Sequence, residues 1–262
     1  MKIRIPFYMI LLIVCRLNAA DEPLTGDAVA EMAEQAAYYA GDDGKSDVRM
    51  VITDANGQER IREFRVLRLN GEDNKQMFFV YFNEPADVRE MSYLVHKQGG
   101  GGEDDRWLWL PAISKVNRIA PGDKRTSFVG SDFVYEDISG RSLNEDKHEL
   151  LSEDADFYVI RNTPKDLSKV DFASYDVWVR KDNNLPVKAE YVDGEGKVVR
   201  RVTADKIEVF EGIPTVTQST VEDPRRGSKT VNTFSNVEYN IGLKERLFSE
   251  RYLKRPPREA TR

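Results

Sequence analysis

The sequence predicts a mainly β chain of the α+β class: an antiparallel meander curling into a barrel or half-barrel, preceded by one helix. Three observations carry this. From Asp47 onward, short runs rich in Val, Ile, Phe, Tyr and Thr follow one another almost without interruption. They are separated by brief connections containing Gly, Asn, Asp or Pro, which is the spacing of hairpins rather than of β-α-β crossovers. Only residues 25–40, near the start, have apolar residues at helical spacing.

The chain opens with a short basic stretch, "MKIR", an apolar run, "IPFYMILLIVC", and small residues before a charged start, "RLNAADEP". That order reads as a secretory signal peptide over residues 1–20, cleaved after Ala19 or Ala20, and the apolar run is too short for a spanning helix. Cys15 is the only cysteine. Val14 precedes it where a lipoprotein signal has a small residue, so the Ala-Ala site explains the segment better. An exported chain without disulfides must be held by its own core, and this length suffices for one. Thiol chemistry and zinc-thiolate sites drop out with the cysteine. The formal charge is −6, and three of the 39 basic side chains (Lys2, Arg4 and Arg16) lie in the leader, so the exported part is more acidic still. Such a balance, on an exported chain, argues against a nucleic-acid partner.

Residues 25–40, "TGDAVAEMAEQAAYYA", place Ala28, Val29, Met32, Ala33, Ala36, Tyr39 and Ala40 on one helical stripe. Thr25 or Asp27 caps its start and "GDDGK" ends it. Next come two strands around Asn56-Gly57, a dipeptide suited to a tight hairpin turn. "KQMFFVYFN", "PADVREMSYLVHK" (a turn, then a strand), "DRWLWLP" and "KVNRI" follow. Later strands are "DFYVIRNT", "YDVWVRK", "PVKAEYV", "KVVRRVTADKIEVF", "TVTQSTVED" and "KTVNTFSNVEYN", joined through "DNN", "DGEGK", "EGIP" and "DPRRG". The tail "LKERLFSERYLKRPP" reads as a short closing helix and a polar end. "QGGGGEDD" at 98–105 is a loop between two β segments and too short to be a linker. Residues 21–262 therefore read as a single domain.

One region departs from simple alternation. In "QMFFVYF", Phe78, Val80 and Phe82 point one way and Met77, Phe79 and Tyr81 the other. In "WLWLP", Trp107 and Trp109 oppose Leu108 and Leu110. Strands apolar on both sides must be covered on both. Either they are central strands packed under the residue 25–40 helix, or one parity lines a cavity for an apolar ligand. In the second case the candidate lining is Phe78, Phe79, Val80, Phe82, Trp107, Leu108, Trp109 and Leu110, with Val29 and Met32 on a helical lid. Only one parity of each strand can then face inward.

Chemistry-bearing constellations are scarce. His96 and His148 are far apart with no ligand spacing around them, so neither a metal nor a cofactor is expected. No nucleophile elbow, phosphate loop or metalloprotease motif occurs. Glu136 and Asp137 are adjacent, which on a strand points their carboxylates apart. The pattern favours a protein that is not an enzyme.

Residues 105–137, "DRWLWLPAISKVNRIAPGDKRTSFVGSDFVYED", resemble a signature of the LolA-like outer-membrane lipoprotein-sorting proteins. Trp107, Leu108, Leu110, Pro111, Lys115, Val116, Arg118 and Ile119 match its first half. Gly130, Ser131, Asp132, Phe133, Tyr135, Glu136 and Asp137 match the second, and "TFSNVEYNIGLKERLFSERYL" is similar as well. The resemblance implies an incomplete, half-open antiparallel barrel with the N-terminal and other short helices as a lid over an apolar cavity. It also implies a periplasmic carrier or chaperone of lipoprotein or lipid acyl chains, delivering toward the outer membrane. Partners would be those chains and an inner-membrane transporter or outer-membrane acceptor, with only transient membrane contact. In that family an arginine latches the lid; Arg49, Arg60, Arg62 and Arg65 lie near the expected region, and none aligns uniquely. The alternative is a periplasmic sensor or accessory module that docks on a transporter or other envelope protein, with the acidic "GSDFVYED" run as a docking loop or as a turn.

Overall fold

The computed structural model describes residues 23–261 of the chain, so the leader, its cleavage site and Cys15 lie outside the described residues. Helix α1 runs from Gly26 to Tyr38, and the Thr25 hydroxyl accepts a hydrogen bond from the Ala28 amide at its start. Strands β1 (Asp43–Thr53) and β2 (Glu59–Asn70) form the expected hairpin. Gly57 turns it at a φ of +78°, and the Asp54 carboxylate accepts from the amides of Asn56 and Gln58. Strands β3 (Gln76–Glu84), β4 (Ser92–Lys97), β5 (Asp105–Leu110) and β6 (Lys115–Arg118) then step outward to one edge of the sheet.

Residues 119–145 carry the chain across to the opposite edge. From there β7 (Asp146–Glu153), β8 (Phe157–Pro164), β9 (Ser174–Arg180), β10 (Pro186–Val192), β11 (Val198–Phe210), β12 (Ile213–Asp223) and β13 (Ser228–Tyr239) step back to the centre. There β13 pairs with β1. The result is one 13-stranded antiparallel sheet in the order β6-β5-β4-β3-β2-β1-β13-β12-β11-β10-β9-β8-β7. It curls without closing, leaving β6 and β7 as open edges: an incomplete barrel. Strand β7 is absent from the sequence reading. Its "DKHELLSE" is a largely exposed edge with no apolar alternation to reveal it.

The two-sided strands are explained by two different covers, and α1 is neither. On the inner face, Phe78, Val80, Phe82, Tyr93, Val95 and Leu108 join Val48, Met50, Ile52 and Phe64 in a cluster capped by Phe128, Phe133 and Tyr135 of the 119–145 crossover. On the outer face, Phe79, Leu94, Leu67, Trp107 and Trp109 pack under Leu243, Leu247, Phe248 and Leu253 of the C-terminal segment, which ends in two short helices, α2 (Arg251–Lys254) and α3 (Arg258–Thr261). Phe79 and Leu94 are fully buried there, and each such side chain contributes about 1.5–3 kcal/mol of burial. The segment is also pinned by hydrogen bonds: Ser92 Oγ donates to the Leu253 carbonyl at 2.6 Å, and His96 Nε2 bonds the Phe248 carbonyl at 2.7 Å.

Helix α1 packs at the far end of the sheet instead. Val29, Ala30 and Ala33 cluster with Ile160 and Val179, with Met32 against them. Gly26 lies directly on the β7 backbone; a Cβ there would sit 2.6 Å from the His148 carbonyl carbon and oxygen, so only glycine permits this approach.

Candidate functional site

Between α1, the crossover and the inner face of the sheet lies a cavity of roughly 490 Å³. Residues of both β2 and β8 line it, although six strands separate them in the sheet, and that measures how far the sheet curls. Its floor is built from cross-strand rows. Ile160, Val177, Ala189 and Val202 are successive register partners across β8, β9, β10 and β11, and all four line the cavity. Side chains at alternate positions share a face, so the next row of the same parity lines it too: Asn162, Tyr175, Tyr191 and Arg200. The lining continues in the other direction to Pro186 and Pro214, at the opposite ends of β10 and β12. From α1 the roof takes Ala30, Ala33, Ala37 and Tyr38, and from the crossover Phe133, Asp137 and Ile138. The floor thus has an apolar row flanked by a polar one, and the lining is mostly apolar, with Lys45, Lys188, Thr203, Thr215, Ser219 and Asn232 adding polar groups elsewhere.

At the polar end the crossover is anchored by its own acidic residues. Asp137 accepts from Arg200 Nη2 at 2.6 Å and from the Val134 amide at 2.7 Å. Glu136 is 2% exposed and is ringed by Lys124 at 2.9 Å, Arg125 at 3.0 Å and Arg141 at 3.4 Å. Burial pushes its carboxyl up, but these three cations outweigh burial and hold it below the usual glutamate value. Arg141 also pairs with Asp146 at 2.8 Å, and Asp146 accepts from the Tyr175 hydroxyl at 2.7 Å. Asp132, 6% exposed, accepts from Ser228 Oγ, Thr230 Oγ1 and Arg226 Nη2 at 2.6–2.8 Å. For Arg200, burial pulls the guanidinium down while Asp137 and Tyr191 more than restore it, so it stays charged. Burial raises Tyr38, Tyr175 and Tyr191 above the ordinary phenol range, which keeps their hydroxyls neutral.

The residues singled out from sequence fall into four places. Phe78, Phe133 and Asp137 line the cavity. Val80, Phe82, Leu108 and Tyr135 lie in the closed core beneath the crossover, with Leu110 against it. Phe79, Trp107 and Trp109 face the other side of the sheet, away from the cavity, because the Leu108–Leu110 parity turns inward. Val29 and Met32 belong to the packing of α1 on β8 and β9, and the small side chains Ala30, Ala33 and Ala37 form the lid face instead.

Of the motif residues, the second half, 130–137, holds the crossover, while the first half lies at the open edge of the sheet. Pro111 opens a single turn after β5, Lys115 is exposed on edge strand β6, and Arg118 pairs with Asp105. Gly130 turns at a φ of +79° and its carbonyl accepts from Arg60, while the buried Ser131 hydroxyl donates to the Phe128 carbonyl. The run does turn here, between Phe128 and Phe133, and the Asp132 carboxylate is taken by side chains of the β12–β13 connection and β13 rather than by backbone amides of the turn.

None of Arg49, Arg60, Arg62 and Arg65 hydrogen-bonds to α1. The arginine that does is Arg68, which donates to the carbonyls of Tyr38 at 2.8 Å and of Ala40 and Gly41, the unsatisfied oxygens at the helix end. Gln76 adds a bond to the Tyr38 carbonyl at 2.7 Å, and Lys97 ties the helix to β4 through Glu34 at 2.8 Å.

The cavity floor on β9, β10 and β11 escaped the sequence reading, which followed the strands apolar on both sides. The alternation of Tyr175, Val177 and Val179 against Asp176, Trp178 and Arg180 was the available signal, continued by Ala189, Tyr191 and Val202. Among the described residues no group of three His, Cys, Asp or Glu is arranged to hold a metal ion, and no helix is long and apolar enough to cross a membrane.

A curled open sheet around an apolar cavity, roofed by a helix and a crossover, defines the LolA-like class of folds. A LolA superfamily protein from Nitrosomonas europaea superposes with a TM-score of 0.65 at 21% identity, over 87% of this chain and 99% of that one. Two structures are closer in sequence. One, from Vibrio parahaemolyticus, is provisionally assigned as an outer membrane lipoprotein-sorting protein domain; it has a TM-score of 0.80 at 26% identity, over 88% of this chain and 98% of that one. The other is a DUF1329 family protein from Desulfovibrio piger, with a TM-score of 0.80 at 33% identity, over 87% of this chain and 97% of that one. The chain belongs to the DUF1329 family. A family model described as an uncharacterized protein also matches residues 74–255. No curated protein matches the chain.

Proposed function

We propose that the protein is a periplasmic carrier that holds an acyl chain of a lipid or lipoprotein in this cavity for delivery toward the outer membrane. The observation that carries the reading is the apolar row Val177–Ala189–Val202, only half-buried and open to an internal space under a small-residue helix, next to Ile160 where α1 packs. Each methylene buried there is worth about 0.8 kcal/mol, so a chain is held without covalent chemistry. The space of roughly 490 Å³ lies within the range of about 300–1,000 Å³ typical of sites that enclose one ligand. The similarity to a protein provisionally assigned to lipoprotein sorting supports the same reading, as does the signal-peptide pattern read in residues 1–20. The reading is of a carrier rather than an enzyme, because the carboxylates at the cavity's polar end, Glu136, Asp137 and Asp146, are each taken up in ion pairs with lysine or arginine.

Placing a large side chain on the floor tests the proposal. Ala189→Trp fills the space between Val177 and Val202 and is expected to weaken binding of a fluorescent fatty-acid analogue at least tenfold, with the melting temperature showing that the variant is folded. Undiminished binding by a folded Ala189→Trp protein would place the ligand elsewhere.

A further inference from the structure

The polar row at the end of the cavity holds a feature that anchoring the crossover does not use. Arg200 is 7% exposed and lines the cavity, and only its Nη2 is engaged, by Asp137. Its Nε and Nη1 groups are buried with no hydrogen-bond partner among the described residues. A buried, charged donor left unpaired is costly, and such groups cluster where a ligand supplies the missing acceptor. Beside it Tyr191 stacks on Tyr175 with ring centres 4.6 Å apart and faces the Arg200 guanidinium at 5.2 Å. Both tyrosines line the same end. Immediately along the strands the row becomes Ile160, Val177, Ala189 and Val202, with no polar tip. That end thus gathers unpaired hydrogen-bond donors of a buried guanidinium beside two tyrosines, whereas the adjoining floor row offers only hydrocarbon and the remaining polar lining residues, such as Lys188, Thr203, Thr215 and Ser219, lie outside that row.

Resting on the carrier reading above, we infer that this end is a head-group site: the cavity takes a single acyl compound head first, its acceptor oxygens meeting Arg200 and Tyr191 and its tail lying along Val177, Ala189 and Val202. The shared chemistry is the acyl oxygen, whether of a free carboxylate or of an ester. Hydrogen bonds to a charged donor in a dry site discriminate by about tenfold or more against a ligand that lacks the acceptor.

The test is displacement of the apolar fluorophore N-phenyl-1-naphthylamine from the full exported chain by three compounds of equal length: dodecanoate, methyl dodecanoate and dodecane. The acid, the ester or both should displace at concentrations at least tenfold lower than the alkane, and which of them does so separates a free acid from an esterified lipid as the source. Arg200→Met alone leaves Asp137 unpaired and risks misfolding, so it is combined with Asp137→Asn, and Tyr191→Phe is made separately to remove one hydroxyl. The readout is the ratio of the alkane to the acid or ester displacement midpoint within each folded protein: it should fall to about one in the paired variant, and Tyr191→Phe should reduce it. Equal displacement by all three compounds from the unaltered protein overturns the inference while leaving the carrier reading intact. So does a preference that survives in both variants. Failure of the unaltered protein to take up the fluorophore at all overturns the carrier reading and the inference with it.

Discussion

Replacing Phe128 with alanine is expected to lower the free energy of unfolding by about 3–5 kcal/mol, the range for deleting a fully buried phenylalanine and leaving a cavity. Phe128 is completely buried, yet it sits on the 119–145 crossover and not on a strand. Its ring meets Phe64, Phe82, Tyr93 and Tyr135 at centroid distances of 5.5–6.2 Å, and the Phe64 and Tyr135 contacts are edge-on. Aromatic pairs of this geometry add to simple burial. The side chain therefore acts as a peg joining the crossover to strands β2, β3 and β4. The loss should appear as a lower denaturant midpoint, and hydrogen exchange should quicken first across residues 124–138. Ile113→Ala is the control, since that side chain is 64% exposed and surface truncations shift stability by only about 0.5 kcal/mol or less. A Phe128→Ala protein as stable as that control would mean the crossover does not hold the fold.

Glu136→Gln should destabilise at neutral pH by about 1.5–3 kcal/mol, the range for hydrogen bonds to charged groups, because it removes the carboxylate shared by three cations while each keeps a second partner (Lys124–Glu145, Arg125–Asp171, Arg141–Asp146). Lys124, Arg125 and Arg141 all converge on this carboxylate, and the side chains of all three are largely buried. The pH dependence has a definite sign. The cations hold the folded carboxyl below its ordinary value of 4.5, so its contribution is complete above that value and is lost as pH falls through the lower, folded one. Unfolding midpoints of the two proteins should therefore differ most near pH 7 and converge as the solution is acidified below 4.5. A gap that stays constant with pH would show that the glutamine acts through shape and not through charge.

The parts of the fold that could be read from sequence are those where local chemistry repeats. The helix at 26–38, the Asn56-Gly57 hairpin and the strands on either side of "DNN", "DGEGK" and "DPRRG" follow from periodicity and turn residues alone. The doubly apolar strands at 76–110 also signalled two covers correctly, but not which ones. Trp107 and Trp109 are satisfied by a C-terminal segment more than a hundred residues away, and Leu108 by a crossover whose sequence is rich in Gly, Ser and Asp. No local pattern encodes such pairings. The same limit explains the motif 130–137. Read alone, "GSDFVYED" is an acidic loop suited to solvent; buried, it is a set of anchors whose partners Arg200, Arg226, Ser228 and Thr230 lie 60–100 residues later. Tyr38 shows how tightly the crossover then meets the helix, since a Cβ on Gly140 would lie 2.9 Å from its ring. The cavity floor was hidden for a different reason. A strand lining an internal space alternates just as one lining a core does, and only the curl of the sheet separates the two.

The central claim is that an acyl chain lies on the inner face of the sheet, against β9–β11 and under α1. Photocrosslinking of residues 21–262 with a diazirine-bearing fatty acid, mapped by peptide mass spectrometry, tests it most directly. Saturable labelling within residues 175–204 and 30–38, competed by unlabelled fatty acid, is the predicted result. Labelling concentrated on Phe79, Trp107 and Trp109, or none that saturates, would contradict it.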